Sequence, residues 1–319
     1  MTPVIAVAQS QVEIVRKHAA ARNVPVSLVR VGPDGSLVDH ADGLDAVLST
    51  SIPASHVRKL LQEHGSVRWL AAQSAGVDAV IVPEVMDGHI TVTRVRQVHD
   101  VFVAEFCMAL MLFAAKGLRD VTLAMERKEW LTFQPPALIG KTLAIVGYGE
   151  IGLALAKRAK PFGMRILGIR TRPRPDEFAD EVLGEDRLDD ALREAHYVVL
   201  VVPGGGNRKH LIGEQRLRLL RKEAYLINAG RGEVVDEEAL DRVLREEGFA
   251  GGLIDTFEVE PLSKESPLWT NPRVLVTAHL AGLRAAPLLD QVMDQIVDNI
   301  ARFGRGEPLM NEVDVSRGY

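Results

Sequence analysis

The feature that most constrains the fold is a rhythm. Short apolar runs rich in Val, Ile, Leu and Ala recur along the chain, separated by longer stretches of helical character. A first block holds VIAVA (4–8), VSLVRV (26–31), DAVLST (45–50), VRWLAAQ (67–73) and ITVTRV (90–95). A second holds KTLAIVG (141–147), MRILGI (164–169), YVVLVV (197–202), AYLINA (224–229), GGLIDTF (251–257) and VLVTAH (274–279). Helical candidates, including Gln9–Ala21 and Pro53–Glu63, lie between them. Near-continuous apolar runs suit strands covered on both faces, and strands alternating with helices build parallel sheets. The expected fold class is therefore α/β, with two doubly wound parallel-sheet domains.

Two long helical stretches, Asp100–Met125 and Leu283–Phe303, follow the two blocks. If the second returns to the first block, one domain comprises residues 1–98 plus 283–319 and the other residues 99–282. No repeat, low-complexity tract or loose linker intervenes, so stiff helical hinges and a cleft between the domains are expected. A chain of 319 residues, 47% hydrophobic and 25% charged, is long enough for two cores. The net charge of -5 gives no basic field to attract nucleic acid. Cys107, the only cysteine, can neither staple the chain nor build a thiolate metal site, which fits a reducing compartment. MTPVIAVAQS lacks the features of a signal peptide, and the longest apolar run, Phe106 to Ala115, falls short of a membrane span. The expectation is a cytoplasmic protein with no membrane partner.

The most chemical stretch is LAIVGYGEIGLALAKRAKPFG, a strand, a glycine turn and a helix. In Gly147-Tyr148-Gly149-Glu150-Ile151-Gly152, Gly147 permits the tight turn and Gly149 lets backbone approach a pyrophosphate. Gly152 lets the helix pack close to the strand, and the helix N-terminus faces the phosphate charge. In this context the pattern reads as a dinucleotide-binding fingerprint rather than a plain structural turn.

About twenty residues on, such a unit normally offers a carboxylate to the adenosine ribose. Here ILGIRTR ends its strand in Arg170, Thr171 and Arg172, with Arg174 close by. A carboxylate would repel a 2′-phosphate, whereas guanidinium forks match its oxygens. At roughly 1.5–3 kcal/mol per contact, two of them supply roughly a hundred- to ten-thousandfold preference for the phosphorylated cofactor. The reading is NADP(H) preferred with NAD(H) possible. The bland alternative is a solvated basic loop indifferent to the 2′ position.

Three later stretches are INAGRGEVVDEEAL (227–240), GGLIDTFEVEPL (251–262) and VLVTAHLAG (274–282). Together with AAQSAGVDAV (71–80) and VHDVFVAEF (98–106), they resemble the D-isomer-specific 2-hydroxyacid dehydrogenase family over essentially the whole chain. The resemblance implies a flavodoxin-like substrate domain, a Rossmann nucleotide-binding domain, and an Arg–Glu–His triad of Arg231, Glu260 and His279. Chemistry supports each role. An imidazolium at His279 can protonate a carbonyl oxygen near neutral pH. Glu260 can hold its other nitrogen and stabilise the charged ring. Arg231 can fork onto a substrate carboxylate. Without the neighbouring motifs, each would read as an ordinary structural residue.

The resemblance further implies cofactor contacts at Val202, Pro203, Ala229, Gly230, Asp255 and Gly282, besides Arg231 and His279. Ala75 and Gly76 match a loop that binds the substrate carboxylate through backbone N–H groups. The chain departs from the family at VVPGGGNRKH (201–210), where three glycines replace a Leu-Thr-Pro-like sequence, and at Ala278, where proline is usual. Arg94 and Gln97 stand where asparagine and glycine are common. Trp130 and Phe133 resemble a segment that in the family's glyoxylate reductases reaches the partner subunit, although a core or dimer-packing role is equally open.

The activity so implied is reduction of small 2-oxo acids, glyoxylate and hydroxypyruvate first, to D-2-hydroxy acids by a homodimer. No metal is implied, since the histidines show no ligand-like spacing. A rival from another class is a dinucleotide-sensing interaction protein like the family's transcriptional corepressors, which keep both fold and triad. A dehydrogenase of phosphite or another unusual donor also remains open.

Overall fold

The computed structural model describes residues 1–73, 77, 80–282 and 286–315. The chain divides into two compact units, Met1–His99 with Arg284–Tyr319, and Asp100–Leu283.

The first unit contains β1 (Val4–Ala8), α1 (Val12–Ala21), β2 (Ser27–Val31), β3 (Ala46–Leu48), α2 (Ala54–Glu63), β4 (Trp69–Ala71) and β5 (Thr91–Thr93). Its strands pair in parallel in the order β2-β1-β3-β4-β5, which is the flavodoxin-like order. Successive residues of β1 face opposite sides, and all of Ile5–Ala8 is buried. That is why its sequence does not alternate. On one side Ala6, Val29 and Val47 join Val57 and Leu60 of α2 in a single core. The chain's last helix belongs to this unit and runs beside α1. His18 lies 3.2 Å from Asp290, and Arg22 lies 2.7 Å from Asp298. Buried Trp69 stacks on Phe303 with ring centroids 5.5 Å apart and donates its indole N–H to Thr93 Oγ1 at 2.9 Å.

The second unit contains α3 (His99–Ala115), α4 (Leu118–Glu126), β6 (Thr142–Val146), α5 (Glu150–Ala159), β7 (Arg165–Ile169), β8 (Glu181–Leu183) and α6 (Leu188–Glu194). After these come β9 (Tyr197–Leu200), α7 (Glu214–Leu217), β10 (Tyr225–Asn228), α8 (Glu237–Arg245), β11 (Gly251–Ile254) and β12 (Val274–Val276). The last helix of the chain is α9 (Ala286–Arg305). The sheet is parallel throughout and runs β12-β11-β10-β9-β6-β7-β8. This is the doubly wound Rossmann order, with its topological switch point between β6 and β9. Ala144, Val146, Leu167 and Val198 face one core with residues of α6 and α8. Leu143, Ile145, Ile166 and Val199 face another with α3 and α5. Both faces of the sheet are thus covered, the condition the apolar runs anticipated.

Two expectations need correction. The stretch Asp100–Met125 is not one helix: Gly117 adopts a left-handed φ of 56°, and α3 and α4 meet at 63°. A Cβ at Gly117 would also lie 3.0 Å from the Phe133 ring, so glycine is needed both for the turn and for the fit. The strand β8 was not expected at all. It is a three-residue edge strand with no fully buried residue, too short to register as an apolar run. Among the described residues no single helix is long and apolar enough to cross a membrane.

Candidate active site

Because every strand of the second sheet points the same way, the loops after β6, β7, β9, β10, β11 and β12 all leave from one edge. The predicted residues of this unit are concentrated there, where open α/β sheets bind ligands.

The glycine turn follows β6. Gly147 has a φ of 101°, and a Cβ there would lie 2.7 Å from the Val201 carbonyl oxygen. At Gly152 a Cβ would lie 2.6 Å from the Gly147 carbonyl oxygen, so helix and strand approach too closely for any side chain. Gly149 differs, because no atom lies within 4 Å of the place its Cβ would take. Gly149 is the residue before α5, whose first turn, beginning Glu150-Ile151-Gly152, presents backbone N–H groups without helical partners. Open space before a positive helix end fits a dinucleotide pyrophosphate.

Tyr148, the fingerprint's variable residue, is buried, and its hydroxyl donates to Asp176 at 2.9 Å. Burial, reinforced by Asp176, pushes that phenol well above its ordinary range. The ring lies over Gly168 of β7, where a Cβ would come within 2.6 Å of it. The N–H groups of Gly147 and Tyr148 donate to the Ile169 carbonyl at 3.0 and 2.8 Å, so the turn is tied to the strand end that carries the arginines.

Arg170 is half-buried, while Thr171, Arg172 and Arg174 are exposed. Among the described residues none of the three guanidinium groups pairs with a carboxylate. Arg165, at the other end of the same strand, bonds both Glu181 and Glu194. The Thr171 hydroxyl is engaged, donating to Glu185 Oε1 at 2.8 Å.

The loop after β9 begins at buried Val202 and half-buried Pro203. Two of its three glycines have a physical reason. Gly205 has a φ of 79° and donates its N–H to Glu233 Oε1, and a Cβ at Gly204 would meet that same carboxylate at 2.4 Å. The Arg231 side chain lies over Gly204 as well, 3.2 Å from the place its Cβ would take.

After β10, fully buried Asn228 shapes the turn of Ala229, Gly230 and Arg231. It accepts from Gly230 N at 3.2 Å and donates to the Arg231 carbonyl at 3.1 Å. Arg231 is half-buried and its Nη1 donates to the Gly230 carbonyl at 3.1 Å. At Gly232 a Cβ would lie 1.8 Å from the carbonyl carbon of Phe257. This contact sets the Arg231 loop directly on the loop after β11. There Phe257 N–H donates to Glu260 Oε1 at 3.0 Å, and Glu258 N–H donates to Glu237 Oε1 at 2.6 Å. The second oxygen of Glu260 lies 2.8 Å from His279 Nδ1. The structure therefore brings Glu260 and His279 together from 19 positions apart, and sets Arg231 on the loop that carries Glu260.

His279 itself has a left-handed φ of 53°, uncommon for a residue with a side chain. Asp255, fully buried, holds it there. One carboxylate oxygen accepts from Thr277 Oγ1 at 2.5 Å and Leu280 N at 2.8 Å, and the other accepts from Ala281 N at 3.0 Å. The Asp255 carbonyl accepts from His279 N at 2.8 Å. These bonds explain why the run 274–279 stops being strand after Val276. The His279 ring is 49% exposed, and its Nε2 has no partner among the described residues. Cys107 of α3 is buried, and burial together with the Asp255 charge pushes its thiol up to about 12, so it carries no reactive thiolate.

Gly282 follows this loop, with open space where its Cβ would be. Ala75 and Gly76 lie outside the described residues. The roles of Asn228, Thr277, Glu233 and Glu237 in shaping these loops were not read from the sequence. All four lie inside the motifs quoted above, but each acts by a side-chain bond to backbone or to a distant residue that the pattern itself does not mark.

Comparison with known proteins decides the family. Residues 108–281 match the model of the D-isomer specific 2-hydroxyacid dehydrogenase NAD binding domain. The chain belongs to this family. A glyoxylate reductase of Pyrococcus horikoshii is 35% identical over 280 residues, 85% of this chain and 82% of that protein. Among solved structures, a D-isomer specific 2-hydroxyacid dehydrogenase of Xanthobacter autotrophicus Py2 in complex with NADPH and MES superposes with a TM-score of 0.88. It is 27% identical and covers 100% of this chain and 99% of its own. An NADPH-dependent glyoxylate/hydroxypyruvate reductase of Sinorhizobium meliloti, in complex with NADP and sulfate, gives 0.86 at 25% identity, covering 100% of both chains. As a family member, this protein is an NAD(P)-dependent 2-hydroxyacid dehydrogenase, and a nicotinamide dinucleotide is its cofactor.

Proposed function

We propose that this protein is an NADPH-preferring reductase of small 2-oxo acids, glyoxylate and hydroxypyruvate first, yielding D-2-hydroxy acids. The observation that carries the reading is the 2.8 Å contact between His279 Nδ1 and Glu260 Oε2, with Nε2 left for a substrate. A nicotinamide dinucleotide held at the glycine turn would supply the hydride for the carbonyl carbon. Glu260 accepts a hydrogen bond from Nδ1–H, which fixes the ring's orientation and leaves the transferable proton of the imidazolium on Nε2. From there it passes to the carbonyl oxygen as the alkoxide charge develops. The Arg231 guanidinium forks onto the substrate carboxylate and stabilises that same charge. Ala75 and Gly76 would add backbone N–H donors to the carboxylate, and Val202, Pro203, Ala229, Gly230 and Gly282 would border the cofactor.

The preference for NADPH rests on Arg170 and Arg172, which no protein carboxylate neutralises among the described residues. A homodimer is supported by a run of exposed apolar side chains, Leu118, Val121, Met125, Trp130, Leu131 and Phe133, of which Trp130 is 96% exposed. A cytoplasmic location fits the lone, unpaired cysteine. The test is a panel of 2-oxo acids assayed with each cofactor. We expect kcat/KM with NADPH to exceed that with NADH by roughly a hundred- to ten-thousandfold, the yield of two charge-assisted contacts. Equal values overturn the preference, and cofactor binding without turnover on any acid of the panel overturns the enzymatic reading in favour of a sensor.

A further inference from the structure

Beside the arginines stands a carboxylate the sequence did not single out. The pairing of β7 with β8 sets Ile169 against Leu183, and Arg170 N–H donates to the Leu183 carbonyl at 3.0 Å. Thr171 and Glu185 each lie two residues beyond that pair, so the two strand ends deliver them side by side. The Thr171 hydroxyl donates to Glu185 Oε1 at 2.8 Å. The same oxygen lies 3.8 Å from Nη2 of Arg208, which comes from the loop after β9, across the switch point. Arg208 is well covered, with its side chain only 20% exposed, while Glu185 is 50% exposed. Its loop is pinned by Glu233, which accepts from Gly205 N through its side chain and from His210 N through its carbonyl.

We propose that Glu185 competes with the cofactor's 2′-phosphate for Thr171 and Arg208, and that Arg208 is a further guanidinium of the phosphate subsite. This rests on the NADPH reading above. A separation of 3.8 Å is an ion pair without a good hydrogen bond, and a half-exposed carboxylate is easily returned to water. A 2′-phosphate carries more charge and more acceptor oxygens than Glu185. It takes over the Thr171 hydroxyl and the Arg208 fork, and Glu185 swings into solvent. Without the phosphate, Glu185 keeps the two groups in place and offsets part of the basic charge. The carboxylate therefore moderates the cofactor preference that the arginines create.

The test is calorimetric binding of two adenine probes, adenosine 2′,5′-bisphosphate and 5′-AMP, to the full-length protein. The quantity read is the ratio of their dissociation constants. We expect the wild type to favour the bisphosphate at least about tenfold, one charge-assisted contact or more. Glu185→Gln should widen that ratio by roughly three- to tenfold, the effect of one partly screened charge. Arg208→Met should narrow it by about tenfold, and Arg208→Lys should recover part of the loss. A wild type that binds both probes equally overturns the NADPH reading and the competition with it. A strong wild-type preference that Glu185→Gln and Arg208→Met leave unchanged overturns the competition alone. Weaker binding of 5′-AMP to Glu185→Gln overturns it too, by making Glu185 an acceptor for the ribose hydroxyl.

Discussion

Asp255 offers a sharp test of how the His279 loop is held. Replacing it with Asn keeps the shape and removes one acceptor oxygen. In the native protein one carboxylate oxygen takes Thr277 Oγ1 and Leu280 N, and the other takes Ala281 N. If the Asn oxygen sits in the first position, its NH2 group faces the Ala281 N–H. If the amide flips, Thr277 can reverse its hydroxyl, but the NH2 group now faces the Leu280 N–H. Either way one buried backbone donor meets another donor. Loss of a charge-assisted bond costs about 1.5–3 kcal/mol, and the stranded donor adds about 1–3 kcal/mol. We expect a loss of about 3 kcal/mol, which at 2–4 °C per kcal/mol lowers Tm by about 6–12 °C in a unit of this size. Calorimetric melting gives the total, and hydrogen exchange at residues 279–281 localises it. A Tm within about 2 °C of wild type, with those amides equally protected, would refute the claim that Asp255 holds the loop.

Two further substitutions probe the supporting structure. Gly168→Ala places a Cβ within 2.6 Å of the buried Tyr148 ring. Overpacking of this kind should cost about 1–3 kcal/mol in a urea melt and weaken cofactor binding, because Tyr148 is part of the glycine turn. A neutral Gly168→Ala would contradict the tight packing. Burial, with the Glu258 and Glu260 charges added, holds the Glu237 carboxyl above its ordinary value of 4.5, despite the N–H it accepts from Glu258. The native state thus binds that proton more tightly than the unfolded chain, so stability present below pH 4.5 is lost as pH rises through the raised value. Glu237→Gln should remove that part of the pH dependence and match or exceed the wild type's urea midpoint at pH 7. A clearly lower midpoint would show that the charge itself is needed.

Much of the fold was legible because burial on both faces leaves a plain mark. In β6 every residue from Thr142 to Val146 is buried, and the sequence there is apolar almost without interruption. The edge strand β8 carries no such mark, since neither of its faces is fully covered. The break between α3 and α4 was hidden by α3 itself, which is apolar around most of its surface and gives no boundary before Gly117. The Glu260–His279 pairing and the tight turn at Gly147 were legible because the chemistry they suit demands particular residue types. What could not be read were bonds that depend on tertiary registration. The Thr171 hydroxyl is claimed by Glu185 only because β7 and β8 align, and Gly204 is needed only because Glu233 arrives beneath it. Asp255 was read as a cofactor contact, and the structure shows its carboxylate shaping the loop that carries His279.

The proposed proton donor is His279, and replacing it tests the chemistry most directly. His279→Gln should lower kcat/KM for glyoxylate with NADPH by roughly a hundred- to ten-thousandfold, the range of a lost general acid. NADPH titration of the same variant by fluorescence should still show saturable binding. Turnover within about tenfold of wild type would contradict the assignment of His279 as the acid, and with it the role given to Glu260.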